Sequence, residues 1–154
     1  MTTALELILA HVGAVRVSPN DDFAALTASY LERGSAFLPC RAQGFRSEPD
    51  LLAWLERRPG RTPPVAVLLD SRGKPMTSEA FASWVGKQRD EGVRELVFAV
   101  GPADGWSDDA RRRARLLLSL SPLTMAHSLA RLVLAEQLYR ACTILAGHPY
   151  HTGH

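Results

Sequence analysis

The chain has 154 residues, a length that fits one domain with a substantial core. Hydrophobic residues make up 46% and charged residues 22%, as in an ordinary folded protein, and the formal net charge is only +2. No apolar stretch reaches the roughly 18 residues that a membrane span needs, and the start, Met1-Thr2-Thr3, does not lead into a secretory signal. We therefore expect a cytoplasmic protein without membrane contact. The balanced charge neither favours nor excludes nucleic acid as a partner.

The first 60 residues predict two strands and two helices. Strands are expected at residues 5–12 and 35–39, and helices at 21–33 and 47–58. Gly13 and Gly34 follow the first strand and the first helix, and Ser47 has the side chain of a helix N-cap. Residues 41–47 are expected to form an exposed loop between the second strand and the second helix.

Three apolar runs dominate the remainder of the chain. They are Val65–Leu69, Leu96–Val100 and Leu116–Leu120, and each is continuous rather than alternating. Continuous runs are typical of parallel strands that are buried on both faces of a sheet. Helices are predicted between them, after Thr77 and after Ser107, and a long apolar helix is predicted at 126–146. Alternating strands and helices predict an α/β fold with a doubly wound parallel sheet.

A small loop follows each of the three apolar runs. These loops are Asp70–Gly73, Gly101–Gly105 and Ser121–Ala126. Right-handed crossovers bring the carboxyl ends of parallel strands to one edge, where ligands of open α/β sheets bind. The chain has neither a G-x-G-x-x-G after its first strand nor a phosphate-binding P-loop, which argues against a dinucleotide or nucleoside triphosphate site. The loops predict an adenosine-like ligand held by backbone hydrogen bonds.

The cysteines and histidines give no sign of a metal site. Cys40 and Cys142 lie far apart without the spacing of metal ligands, so we expect free thiols in a reducing compartment. His148 and His151 are three positions apart, but no carboxylate or thiol lies near them in the sequence. We therefore expect no metal.

Basic charge is supplied mainly by arginine, in two clusters. One contains Arg57, Arg58 and Arg61, and the other Arg111, Arg112, Arg113 and Arg115. Planar guanidinium groups suit phosphate contacts. Such clusters also occur as solvated helix faces, and both interpretations stay open at this point.

Several short motifs occur together in the second half of the chain. They are Leu69-Asp70 with Gly73-Lys74, Gly101 with Gly105, Leu118–Ser121 with Leu123-Thr124, His127, Arg131, Glu136–Ala141 and His148–His151. In this combination the chain resembles the bacterial 23S rRNA pseudouridine N3-methyltransferases of the RlmH type, a minimal branch of the SPOUT superfamily. The resemblance covers residues 65–151 closely.

The resemblance implies a fold, a cofactor and a substrate. It implies a single SPOUT methyltransferase domain over residues 1–154, with a C-terminal trefoil knot at roughly 96–150, in a homodimer. It implies S-adenosylmethionine as the cofactor. It also implies methylation at N3 of a pseudouridine in 23S rRNA, on the large subunit or the assembled ribosome.

The resemblance also implies roles for individual residues. The expected cofactor-binding residues are Leu69, Gly101, Pro102, Gly105, Ser121, Pro122, Leu123, Thr124, Met125 and Ala126. The expected substrate-binding residues are His127, Arg131 and His148, and the expected catalytic residues are Arg140, Tyr150 and His151.

Alternatives remain for these polar residues. The N3 atom of a uracil ring carries a proton that must leave, which a histidine in the tail could accept. An arginine could instead stabilise the resulting anion. His127 could be a structural residue at a helix start, and Tyr150 could anchor the tail or stack on the target base. Glu136 and Arg140, four positions apart, could pair along one helix face or act across a dimer interface.

The chain also departs from the family pattern. Gly101-Pro102 stands where the family usually has two glycines, and Thr152 stands where a basic residue is usual. The basic loop expected in the first half is reduced to Arg41 and Arg46. Two alternatives therefore accompany the main hypothesis. They are a diverged RNA- or ribosome-binding SPOUT protein, and a SPOUT methyltransferase that acts on another RNA such as tRNA.

Overall fold

The structure, a computed structural model, describes residues 5–13, 22–56, 62–102 and 104–152. Over these ranges the strands are β1 Glu6–Val12, β2 Cys40–Phe45, β3 Val65–Pro75, β4 Glu95–Val100 and β5 Leu116–Ser119. The helices are α1 Asp22–Gly34, α2 Glu48–Glu56, α3 Ser78–Asp90, α4 Asp108–Arg113 and α5 His127–Ala146. The predicted alternation of strands and helices is confirmed. Arg57, Arg58 and Arg61 lie outside the described residues.

The five strands form one parallel sheet in the order β2-β1-β4-β3-β5. The predicted parallel α/β architecture is therefore confirmed. Successive side chains of a strand enter opposite layers of the core. In β1, Leu7 and Leu9 face the layer that contains α1, α3 and α5, whereas Ile8 and Ala10 face the layer that contains α2 and α4. Burial on both faces explains the continuous apolar runs.

The predicted position of the second strand is wrong. The segment 35–39 forms a turn, in which the N–H groups of Ser35 and Phe37 donate to Leu31 and Gly34 in the last turns of α1. The strand is instead Cys40–Phe45, in the region expected to be a loop. Among the described residues it pairs only with β1, and it lies at the sheet edge, where polar side chains remain partly exposed. An edge strand therefore lacks the apolar run that marked the central strands.

The pairing of β3 with β5 contains an irregularity near the end of β3. Leu118 in β5 pairs with both Leu69 and Lys74, so the residues between them loop out around the strand. The Ser119 hydroxyl donates to the Ser71 carbonyl oxygen at 3.1 Å. A Cβ atom on Gly73 would lie 2.6 Å from the Leu117 carbonyl oxygen. The predicted trefoil knot stays a prediction, as does the single-domain assignment over 1–154.

We expect the substitution Gly73→Ala to lower the free energy of unfolding by about 1–3 kcal/mol, the usual range for overpacking. The added Cβ meets backbone oxygens of Leu117 and Asp70, which cannot rotate away as a side chain could. Urea denaturation at one protein concentration measures the effect. Ser71→Ala, in the same loop, keeps the carbonyl that accepts from Ser119 and is the matched control. Equal stability of the two variants would contradict the prediction.

Helix α5 connects the two regions that carry the predicted site residues. It begins at His127 and ends at Ala146, where Gly147, with a positive φ of 72°, forms a left-handed C-cap. Leu134, Leu138 and Cys142 are buried in the core against α1 and α3. Within the ranges that the structure describes, no helix has the length and apolarity to cross a membrane.

Candidate functional site

A cleft of about 610 Å³ opens at the carboxyl ends of β3 and β4. The three loops that the sequence analysis expected to converge do so here. Nine of the ten predicted cofactor residues line the cleft: Leu69, Gly101, Pro102, Gly105, Ser121, Leu123, Thr124, Met125 and Ala126. Pro122 is not part of the lining. The volume is typical of a small-molecule site; the role of each residue stays a prediction.

Trp106 also lines the cleft and is not among the residues predicted from the sequence. Its indole N–H donates to the Leu69 carbonyl oxygen at 2.9 Å, and the residue is only 7% exposed. A Cβ atom on Gly101 would lie 2.7 Å from the Trp106 ring, so the close approach of this ring requires glycine. The available signal was a lone tryptophan immediately before the N-cap of a helix, in a loop of otherwise small residues.

Pro102 fits the turn that closes the second loop. Its carbonyl oxygen accepts from the N–H of Gly105 at 3.0 Å, and Gly105 has a φ of 86° that favours glycine. This turn uses the carbonyl group of the proline and does not need the missing N–H. The departure from a second glycine is therefore compatible with the local backbone.

Two aspartates, Asp70 and Asp104, line the cleft, and Asp70 is held by arginine. Asp70 accepts from the backbone N–H of Arg72 at 2.9 Å and pairs with Arg111 at 3.2 Å. The other arginines near α4 also have partners. Arg112 and Arg113 pair with Asp109, Arg113 also pairs with Glu56, and Arg115 donates to Gln88. These contacts favour a structural role for the cluster over phosphate binding.

Two histidines meet where β1 and β4 end. His127 lines the cleft, near the backbone groups of Val12 and Val100. His11 lies beside it on β1, 7% exposed, with its ring packed closely over Gly44. Burial lowers the pKa of His11 to about 4, and the charge of Arg131 adds to this effect. Burial and Arg131 also lower the pKa of His127, so both imidazoles are neutral near pH 7.

The predicted catalytic residues form a closed polar network in the tail. Arg140 donates to Glu136 Oε1 through Nε at 2.9 Å and Nη2 at 2.6 Å, and the Tyr150 hydroxyl donates to the same oxygen at 3.2 Å. Arg140 Nη1 lies 2.9 Å from His151 Nδ1, and His151 Nε2 lies 2.6 Å from Glu79. Arginine can only donate, so Nδ1 is the acceptor and Nε2 carries the proton. Both nitrogens of His151 are therefore occupied.

Aromatic rings hold the tail against α1. The Tyr150 and Tyr139 rings meet edge to face at 4.5 Å, and the guanidinium of Arg33 lies 4.4 Å from the Tyr139 centroid. His148 packs edge-on against Phe37 at 5.5 Å. Burial, followed by the charge of Glu136, raises the pKa of Tyr150, so its phenol stays protonated near pH 7. These contacts support the anchoring interpretation of Tyr150.

The cleft and the tail network lie at opposite ends of α5. Arg140 follows His127 by 13 positions on this helix. At 1.5 Å per residue, the two residues are about 20 Å apart along the axis. One chain therefore brings the predicted cofactor residues together and the predicted catalytic residues together, but it does not bring the two groups to one place.

Comparison with known proteins decides the family. A family model described as "Predicted SPOUT methyltransferase" matches residues 10–151. The chain belongs to the SPOUT methyltransferase family. The family resemblance drawn from the sequence motifs is thereby confirmed.

Two relatives and one solved structure are similar to this SPOUT protein. Ribosomal RNA large subunit methyltransferase H of Koribacter versatilis (strain Ellin345) is 50% identical over 129 residues, which cover 84% of this chain and 88% of the relative. The protein of the same name from Brucella ovis is 58% identical over 85 residues, 55% of this chain and half of that protein's length. The structure of the SpoU methyltransferase AviRb from Streptomyces viridochromogenes, solved with the cofactor AdoMet, is also similar. The match covers 96% of this chain and 60% of the AviRb chain, at 15% identity and a TM-score of 0.52. At that identity, this last similarity supports the fold alone.

The polar clusters of this SPOUT chain show no metal-binding arrangement. Across the described ranges, no three His, Cys, Asp or Glu residues lie close enough together to hold a metal ion. His148 accepts the backbone N–H of Tyr150 at 3.2 Å and contacts Phe37. It therefore belongs to the tail anchor in this chain, away from the predicted substrate residues His127 and Arg131 at the other end of α5.

Proposed function

We propose that the protein is an S-adenosylmethionine-dependent rRNA methyltransferase that methylates N3 of a pseudouridine in 23S rRNA. The observation that carries this proposal is the convergence of three loops on one cleft, in a SPOUT chain that is 50% identical to a ribosomal RNA large subunit methyltransferase H. The substrate is the large subunit or the assembled ribosome, which makes the cytoplasm the place of action.

The lining of the cleft fits S-adenosylmethionine. Its volume of about 610 Å³ suits a ligand of this size, and small residues such as Gly101 and Gly105 leave backbone groups accessible. Asp70 is held in place by Arg111 and contributes one fixed carboxylate toward a ligand with a positive sulfonium. When bound, the cofactor supplies a methyl group on that sulfonium. The loops would fix the ligand so that the methyl carbon lies in line with the attacking nitrogen.

We propose that the site is completed by a second copy of the chain. Within one chain the cleft and the tail network lie about 20 Å apart along α5. Leu123 and Leu129, beside the cleft, are 76% and 38% exposed, which suits a surface that another protomer covers. In a homodimer, Arg140 and Tyr150 of one protomer would face the cleft of its partner.

The roles of the tail residues in proton transfer follow from their bonds. The base must take the N3 proton while nitrogen attacks the methyl carbon, and a base needs a free lone pair. In His151 the Nδ1 lone pair accepts from Arg140, so this bond must break before His151 can act as the base. Arg140, held by Glu136, is placed to stabilise negative charge on the ring.

A methyl-transfer assay with labelled S-adenosylmethionine tests the proposed function. Acceptors are assembled ribosomes, large subunits, free 23S rRNA and tRNA, and modified nucleosides are identified by mass spectrometry. We expect one methylated pseudouridine in 23S rRNA from the ribosome or the large subunit. Methylation of tRNA alone would favour the alternative substrate. Absence of cofactor binding at millimolar concentration in calorimetry would favour an RNA-binding SPOUT protein without catalysis.

A further inference from the structure

Trp106 connects two of the three loops that surround the cleft. Its indole N–H donates to the carbonyl oxygen of Leu69, which lies at the end of the first part of β3. Its ring packs on Gly101, at the end of β4, so closely that a Cβ there would overlap it. The indole therefore spans the gap between the loop after β3 and the loop after β4.

The Leu69 carbonyl lies where regular strand pairing is interrupted. Pairing of β3 with β5 breaks after Leu69 and resumes at Lys74. A carbonyl at such a break is free to turn unless a donor holds it, and a buried carbonyl without a partner is costly. Trp106 supplies that donor. A carbonyl oxygen has two lone pairs, so the bond fixes its direction and still leaves one acceptor site for a ligand.

The position of Trp106 is fixed from the opposite side as well. The adjacent Ser107 caps α4 by accepting the N–H of Ala110 at 3.1 Å. Ser107 also donates to Glu48 of α2, through its backbone N–H at 2.8 Å and its hydroxyl at 2.5 Å. The protein thus holds the indole in place before any ligand arrives. A preorganised lining reduces the entropy lost on binding.

We propose that Trp106 is a positioning residue for the cofactor, one that fixes the Leu69 carbonyl and the separation of the two loops. This inference rests on the proposed function, because it takes S-adenosylmethionine as the ligand. It predicts that loss of the indole N–H weakens cofactor binding while the fold persists.

Calorimetric titration of Trp106→Phe with S-adenosylmethionine and S-adenosylhomocysteine tests this inference. We expect the Kd of both ligands to rise by about tenfold, which corresponds to about 1.4 kcal/mol. We also expect the KM for S-adenosylmethionine to rise, with kcat at saturation and the KM for ribosomes changed much less. Trp54→Phe is the matched control, because Trp54 packs on Phe45 in the core layer beneath α2.

The outcomes separate this inference from the proposed function. If the wild-type protein binds the cofactor and Trp106→Phe binds it within twofold, Trp106 is structural and the inference is wrong, whatever the change in Tm. If the wild-type protein does not bind the cofactor, the proposed function and the inference both fail.

Fluorescence supplies a second readout. The chain has three tryptophans, so the double variant Trp54→Phe, Trp84→Phe leaves Trp106 alone. We expect S-adenosylhomocysteine to change the emission of this variant with the same Kd as in calorimetry. Unchanged emission at saturating ligand would contradict contact between Trp106 and the ligand.

Discussion

Two variants that are inactive as homodimers are expected to recover methyl transfer in mixed dimers. In the first, Gly101→Val, the new Cβ would lie 2.7 Å from the Trp106 ring. The valine side chain therefore displaces the indole. The second, Arg140→Ala, removes the guanidinium that Glu136 and His151 hold in the tail. We expect each homodimer to lose about 100-fold or more in kcat/KM. Arg140→Ala removes a group placed to stabilise developing charge, and Gly101→Val disturbs the cofactor site.

Recovery is expected because each site combines the cleft of one protomer with the tail of the other. A mixed dimer has one site in which both parts are intact and one in which both are altered. Co-expression with two affinity tags yields the mixed dimer, which should show about half of the wild-type activity, since one site of two is intact. Activity as low as in the parent homodimers would contradict a site shared between chains.

Two controls separate shared sites from general instability. Arg140→Ala should retain cofactor binding in calorimetry, because it leaves the three loops that line the cleft unchanged. Gly101→Val should lose it. Doubly tagged dimers that carry the same substitution in both chains should show no recovery, which excludes an effect of the tags.

Periodicity predicted the parts of the fold that local sequence determines. The continuous apolar runs located β3, β4 and β5, and the long apolar stretch at 126–146 located α5. β2 was misplaced because an edge strand contacts one neighbour and has little need of apolar side chains. Its register with β1 is set by tertiary pairing, which the local pattern does not contain.

The contacts that define the site depend on long-range packing. Glu79 and His151 are 72 positions apart, and Trp106 and Leu69 are 37 apart. Cys40 and Cys142 were predicted as free thiols and are free. The neighbouring thiol of Cys142 raises the pKa of Cys40, and that of Cys40 lowers the pKa of Cys142. Each pair forms only because the fold brings together segments that are distant in sequence, so spacing could not have predicted it.

His11 shows how the same packing changes the properties of a residue. In the sequence it is one polar residue inside the apolar run of β1. In the fold it shares a face with Leu7 and Leu9 and meets His127 and Arg131 at the start of α5. Its pKa is lowered to about 4, first by burial and then by the charge of Arg131. This shift couples the stability of the protein to pH.

We expect the free energy of unfolding to fall as the pH is lowered from about 6.5 to about 4. In this range the unfolded chain protonates His11, whereas the folded protein holds it neutral, so the unfolded state binds more protons. The free energy of unfolding must then rise with pH between about 4 and 6.5, and the stabilisation that comes from neutral His11 is lost as the pH falls through this range. A shift of this size corresponds to a loss on the order of 3 kcal/mol by pH 4. Below about pH 4 both states are protonated, and His11 adds no further slope.

Urea denaturation at several pH values, with one protein concentration throughout, measures this dependence in the wild type and in His11→Asn. Asparagine does not titrate, so the variant should have a flatter profile between pH 6.5 and 4, even if it is less stable at pH 7. The remaining slope should include His127, whose pKa is also lowered by burial and by Arg131, and should decrease further in the double variant with His127→Asn. Ser71→Ala, which removes no titratable group, is the control and should keep the wild-type slope. If the free energy of unfolding had the same slope against pH in the wild type and in His11→Asn, the folded protein would accept a proton on His11 as readily as the unfolded chain does. That result would contradict the prediction that the buried imidazole stays neutral.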